Sequence, residues 1–184
     1  MPWATTGAVV AAGVSAALAT PLGGGGYWAA ATLADYVTVW LNGALFLISG
    51  LTLLALIPLV QPSGRRVVRL SALAIAGCSG VLLFVENGLE DAWHQQWVTR
   101  INAYDVLLVL FVFGVLVGAV ALLIRPGTRR IGLGLLVVAL APVVGGSLPW
   151  GSSDLRAGVS LAVGFSILAV LAWSLERRLG PGVQ

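Results

Sequence analysis

Six stretches of this chain carry no acidic, basic or imidazole side chain, and that constrains the fold more tightly than any motif. Residues 2–34, 36–64, 70–85, 106–124, 131–153 and 157–175 contain no Asp, Glu, Lys, Arg or His. Each includes an apolar segment near the roughly 20 helical residues needed to cross about 30 Å of hydrocarbon. In that medium a backbone must satisfy its own amides and carbonyls, which a helix does within the segment. The charges between the runs alternate in sign. Arg65, Arg66, Arg69, Arg125, Arg129, Arg130, Arg177 and Arg178 flank one end of the runs, and Asp35, Glu86, Glu90, Asp91, Asp105 and Asp154 flank the other. Glu176 is the one acid on the arginine side. The positive-inside rule turns this alternation into a topology. The expected fold is all-α: a polytopic membrane protein, a compact bundle of six transmembrane helices with both termini cytoplasmic. It is one domain over residues 1–184, multi-pass in the cell membrane.

Composition removes several function classes. With 9% charged and 59% hydrophobic residues, the chain lacks the polar surface that a soluble domain of this size needs. The net charge of +3 comes entirely from Arg, gathered in the linkers, so it reports topology and attraction to anionic lipid. No nucleic-acid partner is expected, since no basic recognition module exists. Cys78 and His94 are each the single residue of their type. That excludes a disulfide framework, a thiolate metal cluster and a bis-histidine haem, and no cofactor is implied. Cys78 reads as a packing residue.

The spans follow from the runs and their breakers. The first covers Trp3 to Leu22; a signal peptide cleaved near Ala29 and Ala31 is the rival, opposed by an n-region without Lys or Arg. The run Gly23 to Gly26 cannot hold a helix, and Tyr27 to Ala34 fits a short re-entrant or interfacial piece. The second span, Val37 to Val60, stops at Gln61-Pro62-Ser63-Gly64. The third rises from Arg69, the fourth covers Val106 to Ile124, the fifth runs from Ile131 to Gly145-Gly146, and the sixth covers Ala157 to Leu175. Pro142 should kink the fifth span, for structural reasons or to line a cavity. The turns at 61–66 and 125–130 echo one another, which fits either duplicated hairpins or the common needs of any cytoplasmic turn. Gly114 and Gly118 form a G-x-x-x-G that lets backbones approach, within the bundle or in a homo-oligomer or larger membrane complex.

The candidate chemistry lies at the acidic end. Sixteen uncharged residues separate Arg69 from Glu86, about 25 Å of helix. Glu86 therefore lies at or just inside the outer boundary, where an ionisable group is a functional candidate. If the helix continues past Gly88, Glu86, Glu90 and His94 stack on one face with Trp93 and Trp97 beside them. A carboxyl held among indoles at low dielectric is a candidate proton donor, and indole faces stabilise a developing cation. Glu86, Glu90 and His94 are thus the candidate catalytic residues. Asp35, Asn42, Trp93, Trp97 and Asp105 are candidates for substrate binding. The competing reading makes the tryptophans an aromatic belt, the acids solvated, and Gly88 the end of the third helix. Glu86, Glu90 and His94 also offer metal-ligand chemistry, but helical carboxylate sites draw Glu-x-x-His from two helices and only one His exists, so no metal is assigned. Asn42 is an amide inside a span that needs a partner, on a neighbouring helix or on a ligand.

Three functions compete. An intramembrane enzyme would carry out cyclase- or isomerase-like acid–base chemistry on a lipid or isoprenoid substrate. A small-solute carrier would need polar groups at mid-membrane and a two-sided route. An accessory subunit would dock a partner through its outer acids. The implied partners are the lipid bilayer and a hydrophobic small molecule.

Overall fold

Helices form where the uncharged runs predict them. The computed structural model describes residues 3–19, 33–60, 66–93, 103–147, 149 and 153–179. Six α-helices account for nearly all of these described residues: α1 (Trp3–Leu18), α2 (Leu33–Leu56), α3 (Arg66–Trp93), α4 (Ala103–Leu123), α5 (Arg129–Ser147) and α6 (Ser153–Leu179), with a 3₁₀ turn at Pro58–Val60. Four segments are long and apolar enough to cross a membrane: Tyr36–Val60, Val67–Glu86, Ala103–Leu123 and Leu155–Arg178. α1 is also apolar but shorter, at 16 residues.

The helices outrun the uncharged runs, because a charged residue ends hydrocarbon solubility without ending a helix. α3 starts at Arg66 and passes through Gly88 to Trp93, so Gly88 does not terminate it. α6 begins before Arg156 and ends beyond Arg178. Proline likewise leaves α5 unbroken, with Pro142 inside the helix. Hydroxyls within the helices bond to their own backbone: Ser15 to the Ala11 carbonyl at 2.8 Å, Thr52 to Ile48 at 2.7 Å and Ser166 to Ala162 at 2.8 Å. That local bond is how a helix in an apolar medium absorbs a hydroxyl. The Gly23–Gly26 run, the 61–65 turn and its proposed repeat partner relation lie at least partly outside the described residues.

The six helices form a closed ring. Each packs on its chain neighbour, and α6 returns to pack on α1. At one end of that closing contact the Thr5 hydroxyl donates to the Glu176 carboxylate at 2.5 Å; at the other, Gly158 lies against the Ser15 carbonyl and Ala19. α1 and α6 are therefore antiparallel, and the start of α1 and the end of α6 share one end of the bundle. The Arg177 guanidinium lies 4.1 Å from the Trp173 ring centroid at that same end, a cation–π contact suited to an interfacial level.

Small residues set the closeness of the ring. A Cβ on Gly50 of α2 would lie 2.6 Å from the Gly77 carbonyl oxygen of α3, and one on Gly114 of α4 would lie 2.9 Å from the Ala72 carbonyl of α3. The Gly114–Gly118 motif is thus buried against α3 within the chain. The core consists of Leu, Ile, Val, Ala and Phe side chains from every helix, including Leu56, Leu73, Leu122, Ile131, Leu135 and Leu168. Arg69, read from sequence as a boundary flank, is buried in the first turn of α3. Cys78 is exposed on the outward face of α3 and not in the core. The outer surface is also apolar, with Leu51, Phe113, Val143 and Val170 all exposed, a display that a water-soluble fold avoids.

Gly50→Ala is expected to lower stability by about 1–3 kcal/mol through overpacking. Gly13→Ala, where a Cβ meets nothing within 4 Å, should raise it by up to about 1 kcal/mol, the helix-propensity gain. Thermal unfolding of the two variants in one detergent checks this; equal shifts would rule out the close α2–α3 crossing.

Candidate functional site

The inner face of α2 is the polar one. Thr38, Asn42, Leu45, Ser49, Thr52 and Leu56 recur every three or four residues, the spacing of one helical face. Thr38, Ser49, Thr52 and Leu56 on it are buried, whereas Tyr36, Trp40 and Leu51 on other faces are exposed. Polarity is therefore turned inward, the reverse of a soluble helix. An intramembrane polar residue directed into a bundle marks either a structural hydrogen bond or a ligand.

That face borders a cavity of about 250 Å³ enclosed by α2, α4, α5 and α6. Its polar lining comes from Asn42, Ser49 and Thr52 of α2, and the rest is apolar, with Phe46, Phe111, Val115, Leu135, Phe165 and Leu168 prominent. Aromatic packing fixes the α2–α4 wall. Phe46 meets Phe111 edge-to-face at 5.6 Å between centroids and Tyr104 at 6.4 Å. On α2 the lining climbs from Asn42 to Leu53, roughly 16 Å of helix. Spread over that length, the volume leaves a slot about one hydrocarbon chain wide, given carbon contacts of about 3.5–4.0 Å.

Two groups along the slot have hydrogen-bonding capacity beyond their own helix. Thr52 satisfies its hydroxyl on Ile48. Asn42 carries two donors and an acceptor, and among the described residues its side chain makes no hydrogen bond. Pro142 has no amide hydrogen, so the Val138 carbonyl lacks its helical i+4 donor; both residues line the cavity. An amide thus borders an otherwise apolar slot, and one of the lining residues carries a carbonyl without its helical donor.

Of the candidate catalytic and binding residues singled out in the sequence, Asn42 lines this cavity, and so does Pro142, read there as a kink that could border one. Glu86 is half-buried on α3 and extends the seam of Ala72, Ala76, Ser79 and Leu83 at the same three- and four-residue spacing. Glu90 lies one helical turn further on in α3, and Trp93 ends it, but their side chains lie outside the described residues. His94 and Trp97 lie outside them entirely, as does the Asp35 side chain. Asp105 is exposed in the first turn of α4, where a carboxylate favours the helix N-terminus. Sequence reasoning missed Ser49, Phe46 and Phe111. The inward period of Thr38, Asn42, Ser49 and Thr52 was the available signal for the first. Comparison with family models, with curated proteins and with solved structures finds no match for this chain.

Asn42→Leu separates a structural from a ligand-directed amide. Replacing a half-buried amide that makes no hydrogen bond among the described residues should stabilise the ligand-free protein in detergent by about 1 kcal/mol. A loss of that size on thermal unfolding would mean that Asn42 holds the bundle together.

Proposed function

We propose that this chain is an integral membrane protein whose ring of helices binds a single-chain hydrophobic molecule bearing one polar head. The observation that carries the reading is the Asn42 amide on the wall of an apolar slot. The Asn42 side chain and the Val138 carbonyl bind the head, and the tail lies along Phe46, Val115, Leu135 and Leu168 toward Thr52. Apolar burial contributes roughly 0.8 kcal/mol per CH₂, so affinity comes from the tail and orientation from the head. The volume falls below the roughly 300 Å³ at the lower end of small-molecule sites. That favours a medium-length alkyl or isoprenoid chain over a sterol or a polycycle.

The same reading gives all six helices as spans in the cell membrane, with the arginine-rich end and both termini cytoplasmic. A fluorescent protein fused after Gln184 should fluoresce, and a phosphatase fused there should be inactive. The reverse pattern would invert the topology.

A second reading adds acid–base chemistry to binding. It is favoured by the unbroken course of α3 through Gly88, which keeps Glu86 and Glu90 one turn apart on one face, and by the half-buried side chain of Glu86. In that reading an isoprenoid binds at the outer end of α3, apart from the cavity, where Glu86 donates a proton and Glu90 or His94 receives one.

One experiment addresses both. A medium-chain alcohol carrying a diazirine is photolysed with the full chain in lipid vesicles, and adducts are located by mass spectrometry. Asn42→Leu should reduce cavity labelling about tenfold, the equivalent of one hydrogen bond of roughly 1.4 kcal/mol, and Leu135→Trp should abolish it by filling the slot. Equal labelling of wild type and Leu135→Trp ends the binding reading. Lipid extracts that are identical between cells expressing wild type and Glu86→Gln end the chemical one.

A further inference from the structure

We propose that the cavity exchanges its contents sideways with the bilayer, through a portal between α4 and α5, so that its ligand is a membrane-dissolved chain and not a solute drawn from water. The proposal deepens the binding reading above and rests on it for the nature of the ligand. Two residues that line the cavity are also exposed on the outside of the bundle: Val112 of α4, 43% exposed, and Pro142 of α5. A side chain that borders both an interior space and the outer surface forms the rim of an opening. Deeper in the cavity the lining is shielded, with Phe165 of α6 and Val115 of α4 only 4% and 6% exposed.

The two helices are fastened at the arginine-rich end. Near the arginine-rich turn, a Cβ on Gly132 would lie 2.7 Å from both the Ala119 carbonyl oxygen and the Leu123 amide nitrogen, so the backbones touch. The Thr128 hydroxyl adds a bond to the Leu122 carbonyl at 3.1 Å. Toward the acidic end no such contact is made by the described glycines of α5, and Val143 and Val144 beyond Pro142 are strongly exposed. The opening therefore sits on the half of the bundle that also holds Asn42.

Its chemistry selects the traveller. Valine and proline side chains offer no hydrogen bond, so a hydrated solute entering there would lose water without compensation. A hydrocarbon chain moving from lipid to cavity exchanges one apolar surrounding for another. A tail enters between Val112 and Pro142, and its head stays at the level of Asn42.

The test uses the full chain in vesicles containing a small lipid-soluble aryl diazirine, which reports entry whether or not Asn42 recognises a head group. On photolysis, buried Phe165 and Val115 should acquire adducts alongside exposed Leu51, the outer-surface reference. Val112→Trp, placed on the rim, should lose the Phe165 adduct and keep that on Leu51; Leu108→Trp, another cavity-lining position on α4, serves if the first variant fails to reach the membrane. Leu51 labelled without Phe165 in wild type would overturn the portal. So would a Phe165 adduct that persists in both the Val112→Trp and Leu108→Trp variants. Diazirine entry without binding of the medium-chain alcohol would leave the portal standing and remove the ligand reading; alcohol binding with no effect of either variant would do the opposite.

Discussion

Close backbone contact between helices is the constraint on which this structure depends. In hydrocarbon, apolar side chains gain nothing by leaving lipid for protein, so helices associate through dispersion contacts and hydrogen bonds that need short distances. The chain meets this with glycine and alanine at the crossings. Gly50, Gly77 and Gly80 bring α2 and α3 together, Gly114 and Ala76 join α3 to α4, and Gly132 meets Ala119 between α4 and α5. The ring closes where Gly158 of α6 meets Ser15 and Ala19 of α1. These contacts fix which face of each helix turns inward, and hence that the polar face of α2 borders the interior.

Six small-residue seams around a ring do not fill its middle. Pairwise contacts occupy the circumference, and the centre must be filled by large side chains projecting from each helix. On the arginine-rich side Leu56, Leu73, Leu122, Ile131 and Leu135 do so and are almost fully buried. Toward the acidic side, Asn42 and Ser49 stand where longer apolar residues would complete the packing, and Pro142 stands opposite them on α5. Short polar residues at inward positions thus leave space unfilled and give the cavity its polar side chains among the described residues.

Much of the architecture was legible in the sequence. Hydrocarbon solubility is a property of composition, so the uncharged runs located every helix, and the breakers Pro126-Gly127 marked the turn between α4 and α5. Helix ends were less legible, because Arg66, Arg69 and Arg156 are compatible with both water and helix. The candidate site was legible in one residue. Asn42 stands out as an amide within an apolar span, whereas Ser49 and Thr52 are ordinary in membrane helices until their common face is known. Phe46 and Phe111 meet only through the tertiary fold, and nothing in their local sequence pairs them. Glu86 drew attention through its depth, which fixes a level along α3 but not a neighbour.

An internal void of this size carries an energetic consequence. In water-soluble proteins, cavities cost about 24 cal/mol per Å³; applied to 250 Å³, that is about 6 kcal/mol, comparable to the total stability of many domains at 5–15 kcal/mol. A sealed empty slot would cost a sizeable part of such a margin. An opening to lipid changes the reference state, since a passing acyl tail fills the slot and restores the missing dispersion contacts. On the proposed binding function, a ligand would compete with lipid tails and not with vacuum. Its tail confers little preference over theirs, and selectivity falls to the head group at Asn42. A cavity of this kind can be apolar without being indiscriminate, provided that one amide remains available on its wall.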